Sequence, residues 1–177
     1  MQRRALLGAV AGSIGLLAGC GGSGPPRVSL ESGFGATRPI DDPVVQNGMT
    51  AASEQYEWIR LFHAGDTIPT ADSAAGTQLA GAIDDVEDGQ FGLLTNLRTA
   101  GDVPAFYWPA EPEIAAGRLR TDLVREPLDT TVDAGEAVGY AFARFRVVNG
   151  EVPDGGTVTF PSGATATVGS AKRDGWF

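Results

Sequence analysis

The chain carries one thiol, Cys20, one imidazole, His63, and 22 carboxylates against 13 basic side chains. That inventory bounds its chemistry. A nucleophilic triad needs a base, and the sole histidine stands at the end of an apolar run, before Ala64-Gly65-Asp66. A lone imidazole there is expected to be structural or solvated, not catalytic. No G-x-S-x-G elbow, H-E-x-x-H pair or G-x-x-x-x-G-K-[ST] loop occurs. Zinc and copper want several imidazole or thiolate ligands, so no such metal site and no cofactor is expected. Asp84-Asp85-Val86-Glu87-Asp88-Gly89 is the densest acidic run, but counted as a calcium loop it places Val86 third and Thr95 twelfth, where oxygen ligands are required. It reads as the solvated end of a helix.

The cluster best suited to hold a ligand is Phe106-Tyr107-Trp108-Pro109, followed by Glu111 and Glu113. Aromatic faces beside carboxylates suit sugars or cationic ligands, and Tyr107 and Trp108 are the candidate contacts. On a strand Phe106 and Trp108 share one face and Tyr107 takes the other, and one of those faces belongs to the core. Arg118, Arg120, Arg144 and Arg146 alternate with apolar residues. Pairing of their two strands would gather them as an anion patch; the plainer expectation is that they neutralise neighbouring carboxylates.

The thiol has its own context. The chain opens MQRRALLGAVAGSIGLLAGC, with Arg3 and Arg4, an apolar run from Ala5 to Ala18 broken only by Gly and Ser, and small residues before the cysteine. These are the parts of an export signal. The run is shorter than the roughly 20 residues that span a bilayer. Leu17-Ala18-Gly19-Cys20 resembles the lipobox of lipoprotein precursors, and Arg3-Arg4-Ala5-Leu6-Leu7 looks like a twin-arginine signal, although paired arginines also occur in general-pathway signals and Gln2 precedes them here. The resemblance covers the leader alone. It implies cleavage between Gly19 and Cys20, a thioether lipid on Cys20, and a membrane partner reached through that lipid. As the only cysteine, Cys20 has no intrachain disulfide partner. Gly21 to Pro26 reads as a tether, flexible at glycine and stiff at proline. The expected organisation is a signal peptide over 1–19, a lipidated cysteine and tether over 20–27, and one β-rich domain over 28–177.

The elements that must position these residues follow from periodicity and punctuation. With 25 Gly and 11 Pro, the chain favours short elements joined by turns. Val28, Leu30 and Phe34 fall at even intervals and predict a first strand, with Ser32 interrupting the series. Arg38 to Gly48 reads as loop. Tyr56 to Phe62 fits either a strand or the end of a helix from near Thr50, and its aromatic and β-branched content favours strand. Ala75, Leu79, Ala82, Ile83 and Val86 recur at helical intervals before Gly89, predicting one short helix. Strand-like runs follow at Phe91 to Leu97, Val103 to Trp108, Gly117 to Val124, Ala137 to Val148, Thr157 to Phe160 and Thr165 to Val168. The fold class expected is mainly β: an antiparallel β-sandwich or partly open barrel with one short helix.

Charge narrows the function. Removing Arg3 and Arg4 with the leader leaves 22 acidic against 11 basic residues, which argues against nucleic acid as a partner. Lys172 is the only lysine. Together with the leader, this acidic and lysine-poor composition resembles lipoprotein precursors of halophilic archaea, and implies a surface tolerable where molar salt screens its self-repulsion. The function expected is an exported, lipid-anchored protein at the outer face of the cell membrane, acting as a noncatalytic binding or interaction module. The alternatives are a carboxylate-dependent hydrolase, or a structural component of an envelope or transporter assembly.

Overall fold

Two sheets stack on each other and a helix covers the outer face of one of them. A computed structural model describes residues 24–46, 57–100, 105–127 and 136–169. The first sheet takes β1 (Arg27–Pro39), β2 (Glu57–Phe62), β3 (Gln90–Ala100) and β7 (Glu136–Val148) in the order β1-β7-β3-β2, all antiparallel. The second takes β4 (Ala105–Pro109), β6 (Arg118–Pro127), β8 (Gly155–Thr159) and β9 (Thr165–Gly169) in that order, with β5 (Glu113–Ala115) paired to β6. The helix α1 (Ala74–Asp84) is N-capped by Ser73, whose hydroxyl accepts from the Gly76 amide at 3.0 Å.

The expected sandwich is present, among the described residues the sheets do not close into a barrel, and one pair departs from the antiparallel pattern. β6 and β8 run parallel. Parallel neighbours need a crossover, and here β7 supplies it by crossing to the first sheet before the chain returns as β8.

The core has two layers because the first sheet is covered on both sides. Between the sheets lie Leu61, Phe91, Leu93, Tyr107, Leu119, Phe145 and Val158. Between the first sheet and α1 lie Phe62, Leu79, Ile83, Val86, Leu94 and Phe142, with Val44 and Val45 from the segment after β1. Double coverage is why β3 is buried from Gln90 to Thr99 without alternation, whereas β6, with one face in solvent, alternates Leu119, Thr121 and Leu123 inward.

The first strand corrects the even-interval expectation. Leu30 opposes Phe145 and Ser32 opposes Arg144, which leaves Glu31 as the extra residue of a β-bulge. The bulge exchanges faces. Val28 packs toward the inter-sheet core and Phe34 toward the helix layer, so residues six apart that looked like one stripe belong to opposite sides. Arg38 and Pro39, expected in a loop, end the same strand. The alternative of a helix from near Thr50 falls on residues outside those described; Glu57–Phe62 is strand.

β4 lies close against the first sheet. The position where Gly139 would carry a Cβ is 1.7 Å from the Ala105 carbonyl oxygen, so no other residue fits without moving backbone. The Thr95 hydroxyl donates across the interface to the Tyr107 carbonyl at 2.6 Å.

Candidate binding cleft

Phe106 and Trp108 take one face of β4 and Tyr107 the other, so the two candidate ligand contacts separate. Tyr107 is buried in the inter-sheet core against Phe160, and its hydroxyl donates to Glu57 Oε1 at 2.7 Å. Burial pushes its phenol above the ordinary tyrosine range, the hydrogen bond to Glu57 and that carboxylate's charge push it further, and Arg125 opposes the shift. The strand's alternation turns Tyr107 inward, and it does not line the cleft that Trp108 reaches. Trp108 is half-buried, meets Phe106 edge-on at 6.3 Å and reaches a surface cleft.

That cleft measures about 590 Å³ and is walled by Val28, Leu30, Trp108, Phe145 and the segment Pro109 to Glu113. Each wall has a local cause. The bulge at Glu31 brings Val28 and Leu30 onto the Phe145 side of β1, and Leu30, lining the cleft, stays 52% exposed. Phe145 is held from behind by stacking on Phe91 at 5.2 Å. Trp108 lies over β1 at Gly33, where a Cβ would stand 2.3 Å from its Cη2 atom; the glycine lets the indole rest on the strand.

The acidic rim is also built. The Ala110 amide donates to the Asp122 carbonyl, and the Thr121 hydroxyl donates to the Ala110 carbonyl, both at 2.8 Å, which pins the chain as it leaves β4. Pro109 and Pro112 restrict it further. The segment then enters β5, which turns back into β6 through Ala116 and Gly117, both with positive φ, as a tight two-residue hairpin requires. Glu111 and Glu113 are exposed at the cleft and, among the described residues, neither makes an ion pair or side-chain hydrogen bond. Val28, Leu30 and Phe145 were not among the candidate contacts. Only the interrupted alternation at Ser32 hinted at the bulge that brings the first two in.

His63 follows β2, and its Nε2 lies 2.8 Å from the Pro153 carbonyl oxygen. A carbonyl accepts, so Nε2 carries the proton and is engaged in tying β2 to the segment before β8. Arg118 and Arg120 sit on β6 and Arg144 and Arg146 on β7, in different sheets, so the four do not form one patch. Arg144 approaches Asp85, and Arg146 pairs with Glu31 at 3.0 Å and approaches Glu87, so the acidic run after α1 faces these arginines. Among the described residues no three His, Cys, Asp or Glu side chains converge on a cation position, and no helix is long and apolar enough to cross a membrane. Arg3, Arg4, Gly19 and Cys20 lie outside the described residues.

No protein-family model, curated protein or solved structure matches this chain.

Proposed function

We propose that the protein is exported, anchored at the outer face of the cell membrane by lipid on Cys20, and works as a noncatalytic binding module through the cleft at Trp108. The cleft carries the binding half of this reading. Its volume of about 590 Å³ lies in the range of small-molecule sites, which run from roughly 300 to 1,000 Å³. Aromatic and aliphatic walls with a few polar groups on one side are what such sites share. The anchor rests on the lipobox-like Leu17-Ala18-Gly19-Cys20 and the arginine pair before it. An acidic domain is repelled by anionic lipid, so the acyl chains must supply the attachment.

Intact-mass measurement of the membrane-extracted protein tests the anchor: a lipid-sized addition on Cys20 with cleavage after Gly19 is expected, and an unmodified Cys20 with Met1 still attached would sink it. A panel of small amines, alcohols and sugars tests the binding module. At least one compound should raise the unfolding temperature of the full chain saturably and unchanged, with the effect lost in Trp108→Ala. The salt-adapted surface predicts that unfolding temperature also rises from low to molar salt; a flat response would remove that part of the reading.

One observation favours a second reading, a carboxylate-dependent hydrolase: Glu111 and Glu113 share one cleft. Such hydrolases place the acid and the base in different environments. Both glutamates here are exposed, which leaves the two alike. Product release from any panel compound, lost in Glu111→Gln or Glu113→Gln, would promote this reading.

A further inference from the structure

We infer that the occupant of the Trp108 cleft is a small organic cation, an ammonium group carried on a compact apolar body. The inference rests on the binding-module reading and adds the chemical class.

The lining has one sign. Val28, Leu30, Trp108, Phe145 and two prolines supply apolar surface, Glu111 and Glu113 supply negative charge, and among the described residues no basic side chain contributes. Elsewhere the chain places arginines against carboxylates: Arg38 with Asp42, Arg144 with Asp85, Arg146 with Glu31. At the cleft it does not. Arg120 is the cross-strand neighbour of Glu113, yet it forms no ion pair with it and does not line the cleft.

The other described tryptophan provides an internal control. The Arg60 guanidinium sits 5.6 Å from the centre of the Trp58 ring, so that indole has a cation from its own chain. Trp108 has an open cleft and two carboxylates beside it instead. A cation on an indole gains about 0.5–1 kcal/mol when exposed and about 2 kcal/mol or more when desolvated. The carboxylates add attraction at close range and disfavour anions. A neutral ligand could donate hydroxyl hydrogen bonds to the glutamates but would leave their charge uncompensated and gain nothing from the indole's cation-binding face.

Three probes of nearly equal shape separate charge from size: choline, its neutral carbon analogue 3,3-dimethylbutan-1-ol, and the anion 3,3-dimethylbutanoate. Each is titrated into the full chain in nonionic detergent at the lowest salt at which it remains folded, following the Trp108 indole N–H resonance, assigned by its loss in Trp108→Phe. Choline should bind about tenfold more tightly than the alcohol, with the acid weakest, a gap of about 1.4 kcal/mol. In Glu111→Gln/Glu113→Gln, whose exposed side chains leave the fold unchanged, that gap should shrink to about threefold. Equal binding of choline and the alcohol, or an unchanged gap in the double variant, overturns the cationic class and leaves a binding cleft standing. No saturable shift with any of the three overturns the inference, and the wider compound panel then decides whether the cleft is a site at all.

Discussion

The two ends of β4 meet the first sheet in opposite ways. At Ala105 the strand is pressed against β7, with no room for a Cβ on Gly139; four residues later, at Pro109, the sheets have parted and Trp108 borders open space. A missing side chain closes one end. At the other, an indole laid on β1 and a bulge that turns Val28 and Leu30 to the same side border the cleft, with the segment Pro109 to Glu113 as its far wall. Sheet-on-sheet packing is thus tuned locally by side-chain size, and the same five-residue strand serves the core at one end and the candidate site at the other.

The largest effect is expected at the closed end. Gly139→Ala forces backbone to move and should destabilise the protein by about 3 kcal/mol or more in urea unfolding. A loss below about 1 kcal/mol would mean that the close approach is not needed. Gly33→Ala, at the open end, meets the edge of a side chain as well as the Phe142 carbonyl, which lies 2.9 Å from the added atom. A loss of about 2 kcal/mol is expected there, accompanied by a changed Trp108 fluorescence spectrum and weaker choline binding. Stability lost without any change at Trp108 would break the link between β1 and the cleft.

Tyr107 sharpens the contrast from the middle of the strand. Tyr107→Phe removes a hydrogen bond to a carboxylate and should cost about 1–2 kcal/mol at neutral pH. The wild-type protein should also lose stability as pH rises past about 10. Above that value the unfolded phenol releases its proton, while the folded one, with its pKa raised chiefly by burial, retains it. The variant should lose less over that range, keeping a remainder because burial also raises Tyr140. Identical alkaline curves for the two proteins would argue against a buried Tyr107. The smallest stability effect belongs to Leu30→Ala, within about 0.5 kcal/mol of wild type for so exposed a residue. Its signature is weaker choline binding at the cleft, and a variant that binds normally would exclude β1 from the site.

Much of the fold was legible in the residues. Alternation and turn punctuation located the later strands, because a half-buried pleat repeats every two residues, and the spacing of Leu79, Ile83 and Val86 located α1. β1 was harder. A bulge adds one residue and shifts the alternation, so Val28, Leu30 and Phe34 form an even series in sequence that is split between two faces in space. Of the candidate site, the aromatic run and its two glutamates were visible, and the two-residue period placed Phe106 and Trp108 on one face, opposite Tyr107.

The residues alone determined the inventory: one thiol, one imidazole, a strongly acidic balance, a leader-like opening and strand-sized apolar runs. These are local or summed properties, and no folding is needed to count them. Tertiary structure decided which face of β4 is core, that β6 and β8 run parallel, that the four arginines of β6 and β7 are divided between sheets, and that Leu30 and Phe145 stand beside Trp108. Each of these depends on pairing between strands far apart in the chain, and hydrophobic patterning specifies burial without naming the partner that provides it.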